Sequence, residues 1–185
     1  MCHALLQDPH FFRLLIRIDE AFADDVHKGG CPYCGGALHR GNYSRKPRGC
    51  LSELRSLFES RFSFCCSQCR RRTTSRSVRF LGRRVYIALA VVLTSTRSAP
   101  AERLSATLSI PLRTLQRWAQ WWQEQLPLTP FWQANRGLFI PPVAFDQCPS
   151  SLLDRFTGEA AEMMSRLLFF LSPLTVKIFG LPEGH

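Results

Sequence analysis

Cys31-Pro-Tyr-Cys34 and Cys66-Ser-Gln-Cys69 are two Cys-x-x-Cys pairs set about thirty residues apart. Each pair can present two sulfurs from one tight turn, and four thiolates so arranged close a tetrahedral zinc site. Closing it folds the intervening chain back on itself, which predicts a zinc ribbon with a small antiparallel sheet. Gly35-Gly36 follows the first pair and lets the backbone reverse there. Cys65 stands next to Cys66 and could also pair with Cys69. A strand of period two puts Phe62, Phe64 and Cys66 on one face and Cys65 on the other, so Cys66 is the preferred ligand and Cys65 the alternative. The expectation is one structural Zn2+ held by Cys31, Cys34, Cys66 and Cys69. His27 and His39 flank the first pair, but four thiolates already fill the site.

Disulfides are the competing use of such cysteines, and they belong to oxidising compartments. Residues 1–25 carry Asp8, Asp19 and Glu20 and lack the basic, apolar, small-residue order of a signal peptide, so the expected location is cytoplasmic. Cys2, Cys50 and Cys148 read as unpaired.

The formal charge is +10 over 185 residues, and it is uneven. Between Arg40 and Arg84, thirteen Lys or Arg stand against Glu53 and Glu59, a local charge of +11 that leaves −1 for the rest. Charge gathered in one module is a footprint for phosphates or an anionic surface. The candidate contacts are Arg45, Lys46 and Arg48 in a loop read as an extended basic finger (41–52), then Arg70, Arg71, Arg72 and Arg76 behind the last ligand. The longest apolar run, Val85–Leu93, falls well short of the roughly 20 residues of a spanning helix, so no membrane partner is expected.

Around this module the pattern is mainly helical, for a fold class of α+β, mainly α. Residues 1–28 form an N-terminal helix: Asp8 caps it, Pro9 opens it, and Leu14, Leu15, Ile18 and Phe22 recur at helical spacing. Asp19, Glu20, Asp24 and Asp25 read as its solvated face. Residues 29–80 are the basic zinc ribbon. Residues 81–126 hold a buried helix from Val85, a shorter one after Pro100, a turn at Ser109-Ile-Pro111 and a third helix, Leu112 to Leu126, the order of a helix-turn-helix. On the third helix Leu115, Trp118, Ala119 and Trp122 share the core face. Arg113, Arg117 and Gln120, with Gln116, lie on the polar side, where a recognition helix needs donors for base edges. Trp121, between the faces, reads as a protein contact. Residues 127–185 are rich in proline and aromatics and end in a helix within Ser150–Leu171.

Three stretches carry a resemblance: Cys-Pro-Tyr-Cys-Gly-Gly at 31–36, Phe-Cys-Cys-Ser-Gln-Cys-Arg-Arg-Arg-Thr-Thr at 64–74, and Leu-Ser-Ile-Pro-Leu-Arg-Thr-Leu-Gln-Arg-Trp at 108–118. In this order they resemble the short zinc-ribbon and helix-turn-helix DNA-binding proteins of bacterial insertion sequences, and the N-terminal regions of several transposase families. The resemblance implies a non-enzymatic accessory or regulatory protein of a mobile element, nucleoid-associated, with double-stranded DNA and a transposase or other mobile-element protein as partners. An ordinary transcription regulator, the DNA-binding part of a transposase or nuclease, and an RNA-binding zinc protein are the alternatives. Asp146, Asp154 and Glu159 lie in a short segment without the strand-rich scaffold that metal-dependent phosphoryl transfer uses.

Overall fold

Asp8 accepts a hydrogen bond from the His10 amide (2.8 Å) and caps α1, Pro9–Gly29, while Pro9 sits in the first turn, where no N–H is needed. The computed structural model describes residues 2–50, 52–81, 87–96 and 110–176. The buried stripe of α1 is Phe11, Phe12, Leu15, Asp19, Phe22 and Ala23. Leu14, read as an inward position, is half exposed instead. Gly30, at φ 71, ends the helix with its amide bonded to the His27 carbonyl.

The chain then enters two small antiparallel sheets. Strands β1 (Leu38–Arg40), β4 (Ser63–Cys66) and β5 (Arg72–Thr74) form an antiparallel sheet in the order β1-β4-β5. Cys66 stands opposite Leu38, and Cys65 opposite His39 and Arg72. A second, two-stranded antiparallel sheet pairs β2 (Tyr43–Ser44) with β3 (Ser60–Arg61). Between them the helical turn Ser52–Phe58 drops Leu54 and Phe58 into the core.

The core is built around α2 (Ala88–Ser95), which is buried on every side. Its length and all-round apolarity explain why the sequence alone leaves helix and strand in competition there. The hydroxyls that this burial would strand are satisfied locally: Thr94 donates to the Ala90 carbonyl (2.6 Å) and Ser95 to that of Val91 (2.7 Å). Next comes α3 (Leu112–Gln120), which widens into a π turn at Trp121–Gln125 and tightens again at Leu126–Leu128. Thr129 accepts from the Trp132 amide (3.1 Å) and starts α4 (Pro130–Asn135). The stretch read as one helix, Ser150–Leu171, is two: α5 (Ser150–Leu153) and α6 (Ala160–Leu171). Gly158, at φ 119, separates them, because that backbone conformation cannot continue a helix.

The result is a mixed α+β fold, mainly helical, with small antiparallel sheets. One apolar cluster runs from Leu5 to Leu174 and joins the N-terminal helix, α2, α3 and the C-terminal helices. The sequence boundaries near 28, 80 and 126 therefore separate elements of a shared core. The middle helix of the expected helix-turn-helix, after Pro100, lies outside the described residues.

Helix α1 and the segment after β5 are joined by a buried polar lock. Asp19 projects from the apolar stripe of α1, almost fully buried, and its Oδ2 accepts from Arg79 Nε at 2.7 Å. The same carboxylate accepts from the Ser77 hydroxyl and, through Oδ1, from the Val78 amide (2.6 Å). Arg79 also donates to the carbonyls of Leu57 (2.9 Å) and Ser60 (3.2 Å) and lies against the rings of Phe58, Phe62 and Phe80. The assignment of Asp19 to a solvated face is thus corrected, while Glu20, Asp24 and Asp25 are exposed. A second buried guanidinium, Arg61, donates to the carbonyls of Ser75 (2.8 Å) and Thr175 (3.2 Å). Burial pulls it down to about 10, an effect that the charge of Asp19 partly offsets.

Candidate metal centre and basic surface

The two cysteine pairs fold into matching knuckles. In the first, the Cys31 amide donates to the Gly36 carbonyl (2.9 Å); in the second, the Cys66 amide donates to the Arg71 carbonyl (3.0 Å). Each knuckle turns at the residue just after its second cysteine, Gly35 at φ 72 and Arg70 at φ 60. Arg70 is the non-glycine residue with positive φ among those described. Gly36 is buried beside the Gln68 side chain of the other knuckle.

These turns aim four sulfurs at one point. The Sγ atoms of Cys31, Cys34, Cys66 and Cys69 all lie within 4.8 Å of one another. Across the knuckles, Cys31 and Cys69 approach to 3.6 Å, and Cys34 and Cys66 to 3.5 Å. A tetrahedral centre with metal–sulfur bonds of about 2.3 Å would set its sulfurs about 3.8 Å apart, so the residues fit one tetrahedral ion. All four are free thiols. Cys65 is excluded by β4, which turns its sulfur away, toward the Arg70 carbonyl (3.6 Å). The choice of Cys66 by strand alternation agrees with this geometry.

Crowding divides the thiols electrostatically. The Cys69 backbone N–H holds the Cys66 thiol down at about 6, helped by the Gln68 N–H at 3.4 Å and opposed by burial. At Cys69 the Arg71 backbone N–H favours the thiolate, but burial and the Cys34, Cys31 and Cys66 sulfurs outweigh it and hold the thiol up at about 12. A metal ion takes its cysteine ligands as thiolates, so binding at this cluster would be coupled to proton release.

Cys31 and Cys66 are buried with Ala23, Leu38 and Phe64 in a small apolar cluster of their own, while Cys34 is exposed. Ala23 brings α1 onto the centre. His27 stacks on Phe64, ring centres 5.7 Å apart, and His39 is exposed; neither joins the cluster of four cysteines.

The predicted contact residues divide into two groups. Arg70, Arg71 and Arg72 are all exposed beside the second knuckle. The Arg71 guanidinium lies 4.8 Å from the centre of the Tyr33 ring, and Arg72 donates to the Gly41 carbonyl (3.1 Å). Lys46 and Arg48 are exposed as well. Arg45 is half-buried against Tyr43 and Phe80, and the Arg76 guanidinium packs 4.0 Å from the Phe22 ring centre and 4.9 Å from that of Phe169. These two serve packing first. The basic finger is docked rather than extended: Pro47 is buried, the Arg48 carbonyl accepts from Ile87 (3.1 Å), and a Cβ on Gly49 would meet Ala90 at 2.7 Å.

On α3, Arg113, Gln116, Arg117 and Gln120 are exposed, with Leu115 and Trp118 buried behind them. Gln120 donates to Glu124 (2.8 Å). Trp121, read as a protein contact, is buried edge-on against Trp122, three residues after Trp118 and seven after Thr114 on the buried stripe.

Comparison with protein-family models, curated proteins and solved structures gives no match to this chain. The Asp19–Arg79 pair escaped the sequence reading although half its signal was present. Asp19 stands four residues from Leu15 and three from Phe22, on the apolar stripe, and a carboxylate there needs a buried partner.

Proposed function

We propose that this chain is a non-enzymatic DNA-binding protein of a bacterial mobile element, with a structural zinc ribbon that contacts phosphates and a helix-turn-helix that reads sequence. Zinc suits the four thiolates because it takes tetrahedral sulfur ligands and has no redox demand. One observation carries the nucleic-acid reading: Arg70, Arg71 and Arg72 stand exposed on the knuckle whose backbone the cysteine cluster fixes. Three cations held by a rigid turn can neutralise adjacent phosphates and release their counterions. The exposed face of α3, with Arg113, Gln116, Arg117 and Gln120, offers donors of the kind that pair with base edges in a major groove.

Selection of bound fragments from genomic DNA, followed by footprinting, tests this. The expected result is recovery of a shared duplex site with protected bases. Recovery of no shared site, or tighter binding to structured RNA than to any duplex, would contradict it. Metal-dependent strand cleavage by the purified protein would replace the non-enzymatic reading with a catalytic one.

A further inference from the structure

Tyr33 occupies the tip of the first knuckle, between Pro32 and Cys34, and is 58% exposed. The Arg71 guanidinium rests 4.8 Å from the centre of its ring. The two residues belong to different knuckles, and the approach of Cys31 to Cys69 (3.6 Å) is what brings them together. Gly35 follows Cys34 in the same knuckle, and a Cβ built on it meets nothing within 4 Å. Arg70 and Arg72, the chain neighbours of Arg71, are both exposed.

An open aromatic face among cations is what an unpaired base needs. A π face stacks on any base, and nearby arginines hold the phosphates on either side of it. A duplex offers only base edges in its grooves, so the Tyr33 ring cannot be used on paired DNA unless a base leaves the stack. We infer that Tyr33 and Arg71 form a stacking platform for an unpaired base of a nucleic-acid strand, flanked by Arg70 and Arg72 as phosphate contacts. The platform rests on the nucleic-acid reading of the ribbon and deepens it: arginines that can hold the phosphates of a duplex stand beside a ring that can receive a base once it has left the stack.

Fluorescence anisotropy of zinc-loaded full-length protein, with labelled oligo(dT), oligo(U) and a mixed-sequence duplex as probes, separates the possibilities. Tyr33→Ala should weaken oligo(dT) binding about tenfold while changing the duplex less than about twofold, and Tyr33→Trp should restore it. The exposure of Tyr33 protects the fold in both variants, and zinc content checks that each ribbon is intact. Comparison of oligo(dT) with oligo(U) tells a DNA strand from an RNA strand as the source of the base. Equal losses on oligo(dT) and duplex, or no loss on either, would overturn the platform while the nucleic-acid reading stood. A parental protein that bound none of the three probes would remove that reading and the platform together.

Discussion

Cys65 and Cys66 are neighbours in the chain, yet β4 sends their sulfurs to opposite faces, one into the cluster and one toward the Arg70 carbonyl. Cys66→Ser should therefore lose bound metal, as should Cys34→Ser or Cys69→Ser, whereas Cys65→Ser should keep it. Elemental analysis of the purified variants decides, and full metal content in Cys66→Ser would refute the ligand set. This much was legible in the sequence because ligand spacing and strand alternation are both local properties. The partner of Asp19 was not legible. It lies 60 residues away, and nothing local says which arginine of a basic stretch turns inward. Asp19→Asn should leave the Arg79 charge buried without its counter-ion and cost about 3–5 kcal/mol. Urea unfolding measures it. A loss below about 0.5 kcal/mol, the range of ordinary surface substitutions, would mean that the pair contributes nothing.

At the scale of elements, helix starts were read well because capping is local: Asp8 and Pro9 define α1 through their own side chains. Continuations were read less well. The break at Gly158 and the π turn after Gln120 interrupt the helical repeat, and the spacing of apolar residues on either side carries no record of them. Charge shows a similar limit, since composition counted Arg45 and Arg76 as surface cations while the fold packs them against rings. On α3 pattern and structure agree: Arg113 and Arg117 face outward over a core of Leu115 and Trp118. A bidentate arginine contact discriminates bases by about 1–3 kcal/mol, so Arg113→Ala or Arg117→Ala should relax preference at particular base positions more than it lowers general affinity. Selection from random duplexes with each folded variant is the check. Unchanged preferences in both would remove α3 as the reader.

The whole molecule has two unequal cores, a large one shared by the helices and a small one wrapped around the cysteine cluster. Its excess charge belongs to the module that the small core holds, and much of that charge still faces solvent once Arg61 and Arg79 are counted as buried. On the proposed function, metal binding and phosphate contact meet in one place, the second knuckle. The decisive measurement is the salt dependence of DNA affinity for the parental protein and for Arg70→Ala, Arg71→Ala and Arg72→Ala combined, with zinc content measured on the same samples. Each phosphate contact contributes about 0.9 to the slope of log affinity against log salt, so the triple variant should bind unrelated duplexes more weakly and lose roughly 2–3 from that slope. An unchanged slope in a variant that retains its full zinc would contradict the account.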